Sequence, residues 1–183
     1  MKIRLAAGLQ SDSIVDGEGI RTVIWTQGCS HNCPGCHNPS THDFNGGFEV
    51  DVEEIIQSLS KLEGQDGITF SGGDPMFQPE ACTIIAKEAK KQGLDIWCYT
   101  GFTFENLINH DKYIEFLKYV DVLVDGKFII EEKSLNLDFR GSSNQRIIDV
   151  KKSLKKQKAI LIPKYIGERQ TIINVPKQSH VYV

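Results

Sequence analysis

Three cysteines packed into eight residues, Cys29-Ser30-His31-Asn32-Cys33-Pro34-Gly35-Cys36, are the part of this chain best suited to chemistry. Gaps of three and then two residues let three thiolates converge from one tight loop, with Pro34 and Gly35 supplying the turn geometry. Iron–sulfur clusters are usually fixed by four thiolates, so a cluster held by three leaves one iron without a protein ligand. An open coordination position is what a catalytic metal site needs and a closed structural one lacks. The competing reading is a structural zinc site with His31 or His37 as the fourth ligand. Zinc patterns, however, ordinarily pair two C-x2-C-like halves over a longer interval, and His37 adjoins Cys36, a strained way to give one ion two ligands. Cys82, in a predicted helix, and Cys98, in a predicted strand, read as small buried apolar residues.

A chain of 183 residues fits one domain over residues 1–183, with a basic C-terminal extension from about residue 147 to 183. A complete eight-fold barrel normally needs about 250 residues, so any barrel here is partial. The hydrophobic fraction of 40% and charged fraction of 25% are those of a globular protein. A net charge of -3 offers no general attraction for nucleic acid or an anionic membrane. The run from Leu5 to Leu9 is too short for a signal sequence, and no apolar stretch approaches about 18 residues. Clustered thiols without a secretion signal point to a reducing, cytoplasmic setting. Lys151, Lys152, Lys155, Lys156 and Lys158 read as a solvated helix face.

The elements that must position the cysteines alternate between short β-branched or aromatic runs and longer segments of helical period. Arg21 to Thr26 is a predicted strand leading into the cysteine loop. Val52, Ile55, Ile56, Leu59 and Leu62 share a helical face behind a candidate N-cap at Asp51, with Glu54 three residues on. Gly67 to Phe70 is the next strand, ending at the turn Ser71-Gly72-Gly73-Asp74-Pro75. Ala81, Ile84, Ile85 and Ala89 fit a second helix closed by Gly93, and Leu94 to Tyr99 returns as a strand. Leu107 to Tyr119 is helical with an interruption around Asn109-His110-Asp111, and Val120 to Val124 is a fourth strand. Such alternation implies an α/β fold with parallel pairing, in which loops at the C-terminal strand ends meet at one pocket. Four loops should face it: the cysteine loop, Ser71 to Asp74, Tyr99-Thr100-Gly101 and Asp125-Gly126-Lys127.

The C-x3-C-x2-C loop after the first strand and the Gly-Gly-acidic-Pro turn after the second resemble the radical S-adenosylmethionine superfamily. Further segments resemble its glycyl-radical activases, in the branch that serves anaerobic ribonucleoside-triphosphate reductase. They are Asp16-Gly17-Glu18-Gly19-Ile20-Arg21, Thr26-Gln27-Gly28-Cys29, Cys33-Pro34-Gly35-Cys36-His37-Asn38-Pro39, Tyr99-Thr100-Gly101, Asp125-Gly126-Lys127-Phe128 and Arg140-Gly141-Ser142-Ser143-Asn144-Gln145-Arg146. A pyruvate formate-lyase-type activase is similar in the first of these and in the cysteine spacing, but not in Arg140 to Arg146.

The resemblance implies a partial parallel β/α barrel, one [4Fe–4S] cluster on Cys29, Cys33 and Cys36, and S-adenosylmethionine chelating the open iron. One-electron cleavage of the sulfonium then yields a 5′-deoxyadenosyl radical that takes a hydrogen atom from a glycine of the reductase, with flavodoxin or ferredoxin as electron donor. Gly35, Cys36 and His37 are implied contacts of S-adenosylmethionine. Gly72 and Gly73 offer it backbone, Lys127 its methionyl carboxylate a partner and Asp125 its ammonium a partner. Asp16 and Arg21 are implied to face the substrate glycine. Many superfamily members place an aromatic residue just before the third cysteine; Gly35 stands there instead, so an adenine contact at that position is backbone-only.

Overall fold

The computed structural model describes residues 1–166. Its centre is four parallel strands, β3 (Arg21–Thr26), β5 (Gly67–Gly72), β6 (Asp95–Tyr99) and β7 (Val122–Asp125), hydrogen-bonded in that order. These are the four predicted strands. Shorter strands flank them: β1 (Lys2–Leu5), β2 (Gln10–Ser13) and β4 (Phe48–Asp51) on the β3 side and β8 (Arg146–Asp149) on the β7 side, all paired antiparallel. The fold is thus mixed α/β with a parallel-rich sheet.

Between the strands lie α1 (Val52–Leu59), α2 (Pro79–Lys91), α3 (Phe104–Leu107) and α4 (Asp111–Leu117), with α5 (Val150–Lys156) after β8. The break between α3 and α4 falls where Asn109-His110-Asp111 predicted it. Asp51 occupies the N-cap position of α1, but its side chain makes no capping bond and its backbone pairs with Lys2 in the sheet, so the expected capping box does not form. The lysines of α5 and Lys158 are exposed.

Side-chain alternation sorts the core onto the two faces of the sheet. Ile68, Phe70, Ile96, Cys98, Leu123 and Ile148 pack with the helices, where α2 lies between α1 and α4. Trp97, Val124 and Ile147 point the other way and form a smaller cluster with Tyr165, against which Tyr99, Phe139 and Ile162 pack. Cys82 and Cys98 are buried in the larger cluster.

Arg21 lies on the smaller face and differs most from its expected role. Its side chain is 0% exposed. Nε donates to Thr69 Oγ1 at 2.8 Å, Nη1 to Glu18 O at 2.8 Å and Nη2 to Ile68 O at 2.8 Å, with Asp95 as its ionic partner and the Trp97 ring 5.6 Å from its guanidinium carbon. It stands at the start of β3, away from the C-terminal strand ends, and joins three strands. Gly17 is buried and Gly19 exposed, and both are closely approached: a Cβ would come within 2.7 Å of Trp97 and 2.5 Å of Asp66 respectively. Glu18 accepts from both the Tyr165 hydroxyl and the Lys164 ammonium, which, ahead of other causes, hold its carboxyl below the usual range.

Candidate functional site

The cysteine loop leaves the end of β3 and is held by its own backbone. Gly28 N donates to Thr41 O at 2.8 Å, Cys29 N to His42 O at 3.1 Å, and Cys36 N closes a turn onto Cys33 O at 3.1 Å. Gln27, nearly buried, donates from Nε2 to Asp43 O at 2.6 Å and Ser40 O at 3.2 Å, which folds residues 38–47 back beneath the loop. Asn38 N also lies 3.4 Å from Cys36 Sγ, a donor of the kind that tunes cluster sulfurs.

The expected convergence of loops is present. A cavity of about 760 Å³ is lined by Cys29, Cys33, Cys36 and His37, by Gly72 and Gly73 after β5, by Tyr99, Thr100 and Gly101 after β6, and by Gly126 after β7. Asp16 reaches it from the side with the exposed Ile14 and Val15. Its far wall is formed by Phe128 and by residues of the 133–145 segment, including Arg140, Gly141 and Gln145.

Gly72 and Gly73 have a reason to lack side chains other than ligand approach. At Gly73 a Cβ would sit 2.4 Å from Gly28 O, and at Gly72, where φ is +102°, it would sit 2.4 Å from Thr26 O. The turn bonds the same segment, Gly73 N to Thr26 O at 2.7 Å and Asp74 N to Gly28 O at 2.9 Å. The Gly-Gly pair is a close backbone junction between the second strand-end loop and the residue before Cys29. Gly73→Val should therefore displace the cysteine loop and lower iron and sulfide content along with any S-adenosylmethionine affinity, measurable by metal analysis after anaerobic reconstitution. An iron-replete Gly73→Val with weakened ligand binding alone would restore the ligand-approach role.

Asp125 and Lys127 do not take the positions expected of them. Asp125 is buried, accepts Phe104 N at 2.7 Å and is gripped by Arg146, whose Nε lies 2.9 Å from Oδ1 and Nη2 2.5 Å from Oδ2. The Asp125 carboxylate is thus paired with a guanidinium, accepts three hydrogen bonds and lies outside the cavity lining. Lys127 is exposed and stands outside the cavity lining; its carbonyl accepts Asn144 Nδ2 at 2.8 Å. Gly35 is also exposed, outside the lining, with φ of +70°.

Those contacts give the Arg140 to Arg146 segment a physical role. Gln145 Oε1 accepts Gly141 N at 2.9 Å and Ser142 N at 3.2 Å, while its Nε2 donates to Gly126 O at 3.0 Å. Together with Asn144 and Arg146 it staples the turn after β7 in place as the cavity's fourth side. Arg146 also binds Glu105 at 2.7 Å.

One residue was visible in the sequence only as part of a turn. Asp74 is 0% exposed and receives donors from three different loops. Oδ1 accepts Met76 N at 2.9 Å, and Oδ2 accepts Thr100 Oγ1 at 2.9 Å, Gly101 N at 3.0 Å and His31 Nε2 at 2.7 Å. His31, the nearer candidate for a zinc ligand, thus has Nε2 committed to a carboxylate. His37 lies against Phe128, with ring centroids 4.8 Å apart.

The donors offered to a metal group are therefore three thiols of one loop, all partly exposed at the cavity wall. Burial, above all other causes, pushes the Cys29 thiol up, so ligation there requires the loss of a proton that the metal-free site retains. An all-sulfur donor set is the kind that iron–sulfur clusters take.

The sequence matches the family model of a 4Fe-4S single cluster domain over residues 15–148. An anaerobic ribonucleoside-triphosphate reductase-activating protein of Haemophilus influenzae is 35% identical over 142 residues, covering 73% of this chain and 90% of that one. The protein of that name from Enterobacteria phage T4 is 40% identical over 142 residues, 73% of this chain and 86% of its own. That of Escherichia coli K12 is 38% identical over 140 residues, 72% and 90% of the two chains. Among solved structures, QueE from Escherichia coli overlays 56% of this chain and 53% of its own length, with a TM-score of 0.44 at 13% identity. No helix among the described residues is long and apolar enough to cross a membrane.

Proposed function

Because this chain belongs to the family of anaerobic ribonucleoside-triphosphate reductase-activating proteins, we propose that it installs a glycyl radical on such a reductase, using S-adenosylmethionine and a [4Fe–4S] cluster held by Cys29, Cys33 and Cys36. The observation that carries this reading is the meeting of the three-thiol loop with the turns after β5, β6 and β7 at one cavity. We read the parallel core as part of an incomplete β/α barrel and residues 1–183 as one domain, whose 167–183 portion lies outside the described residues.

When bound, the cluster and S-adenosylmethionine supply one-electron sulfonium cleavage and the hydrogen abstraction that follows. The protein's share is positioning. Cys29, Cys33 and Cys36 fix three corners, and Cys36, His37 and the backbone of Gly72 and Gly73 bound the space beside the open one. Tyr99, Phe128 and Phe139 give the cavity an apolar wall that limits water. The charged side chains that line the cavity are Asp16, Lys133, Asp138 and Arg140.

Hydrogen transfer is a short-range event, so the partner's glycine backbone must enter this cavity. Ile14 and Val15, each 70% exposed beside Asp16, form the apolar lip at which it would enter. The test is anaerobic incubation of the reduced, reconstituted protein with S-adenosylmethionine, with and without its cognate reductase. Slow cleavage alone and a glycyl-radical resonance on adding reductase are expected. Val15→Glu should keep iron content and uncoupled cleavage yet lower radical yield about tenfold, the consequence of placing a charge in an apolar contact worth roughly 1–2 kcal/mol. Efficient modification of a small molecule with no radical on the reductase would refute the proposal, as would radical formation only on a pyruvate formate-lyase-type partner.

A further inference from the structure

We propose that His31 is a positioning residue of the cysteine loop: by donating from Nε2 to Asp74 it ties the segment between Cys29 and Cys33 to the turns after β5 and β6 before any cluster is present. This rests on the reading that the three cysteines hold the cluster, and it adds a role for a cavity-lining side chain whose Nε2 is engaged by Asp74.

Ser30, Asn32, Pro34 and Gly35 are exposed, and Asn32 adopts φ of +49°, so this stretch gains little from burial of its own. A segment of this kind is costly to order at about 1–2 kcal/mol per residue of lost backbone freedom. His31 is the exception, with a side chain only 8% exposed. Its ring meets Phe102 edge-on at 4.6 Å between centroids and approaches Phe77 at 5.9 Å. The backbone of Gly101 is shaped to receive it, because a Cβ there would lie 2.4 Å from His31 Cδ2 and 2.7 Å from Nε2. The imidazole is therefore inserted between two strand-end turns, and the Asp74 carboxylate waiting there also holds Thr100 and Gly101.

Two components are present, ring packing and a charge-assisted hydrogen bond, and they can be separated. Asp74 is fully buried, so losing one donor leaves a lone pair that water cannot readily reach. The proposal assigns the positioning to the hydrogen bond. His31→Phe keeps an aromatic ring and deletes the donor; His31→Gln deletes the ring and keeps an N–H donor within reach.

The experiment uses the full chain in two states. After anaerobic reconstitution, release of iron to a ferrous chelator should be about tenfold to a hundredfold faster in His31→Phe than in the parent, the range expected for a hydrogen bond to a buried charged group. His31→Gln should stay within about threefold of the parent, since it keeps a donor of ordinary strength. In the metal-free protein, amide exchange across residues 28–37 should quicken in His31→Phe and remain near the parent in His31→Gln, with β5 and β6 unchanged in both. Parent-like iron retention in His31→Phe overturns the proposal, as does equal impairment of the two variants, which would assign the effect to packing. A loss of protection throughout the sheet of His31→Phe also overturns it, since the residue would then support the whole fold. Because the exchange measurement involves neither S-adenosylmethionine nor a reductase, a protein that holds its loop in this way yet never activates a reductase would refute the proposed function and leave this inference standing.

Discussion

Cys33→Ala should leave the protein without a normal [4Fe–4S] cluster and bring S-adenosylmethionine cleavage to background. Cys82→Ala and Cys98→Ala should retain both. Cys33 is the middle donor of a loop that offers three thiols, and Nε2 of His31 is engaged by Asp74 at 2.7 Å. Cys82 and Cys98 are both 0% exposed, burial pushes both thiols up, and the thiols donate to the carbonyls of Pro75 and Tyr99 respectively. Iron and sulfide analysis with the visible spectrum of each reconstituted variant would decide the matter. A Cys33→Ala protein with full iron, sulfide and cleavage would remove these three cysteines from the cluster.

Arg21→Met should destabilise the metal-free protein by about 2–4 kcal/mol, chiefly the cost of leaving acceptors without their donor, since the Asp95 carboxylate is 47% exposed and water can reach it. For a chain of this size that corresponds to a fall on the order of 10 °C in the thermal midpoint. The size of the effect follows from where the guanidinium sits: its loss strands the carbonyls of Glu18 and Ile68, deprives Asp95 of its cation and opens space beside Trp97. The paired Asp16→Asn change, at a cavity-lining residue that accepts from Ser13 at 2.5 Å, should disturb folding far less. Thermal unfolding of the two metal-free variants compares them directly. A parent-like midpoint in Arg21→Met would return Arg21 to the substrate-facing side of the motif.

The contrast between those residues shows what the sequence could convey. A charged side chain at the start of a strand reads as exposed, since arginine is seldom fully buried without partners. The partners here are Thr69, Ile68 and Asp95, which lie 47 to 74 positions away. The parallel strands were legible because strands buried on both faces are continuous apolar runs. β1 and β4 pair across more than forty residues and are four residues each, with one alternating pair apiece, Ile3 and Leu5 in β1 and Phe48 and Val50 in β4, so period alone does not separate them from loop. β8 shares only Arg146 with the polar segment Arg140 to Arg146 and otherwise falls in the region expected to be a basic extension, although Ile147 and Ile148 are buried.

Within the site, the cysteines and the Gly-Gly turn were identifiable by residue type and spacing. Asp125 and Lys127 were given ligand roles from charge and place, and the structure shows Asp125 already neutralised by Arg146. Asp74 was present in the same turn as Gly72 and Gly73. Its importance depends on His31 and Thr100, which the chain brings to it only after β5 and β6 are side by side.

That dependence imposes an order on biosynthesis. Every donor to Asp74 lies at or before residue 101, so the floor of the cavity can close while the ribosome is still making the second half of the chain. Glu18 must wait for Lys164 and Tyr165, across separations of 146 and 147 residues, and loops that long are closed late. The nascent protein can thus possess a finished cysteine loop before the motif at its entrance is fastened down.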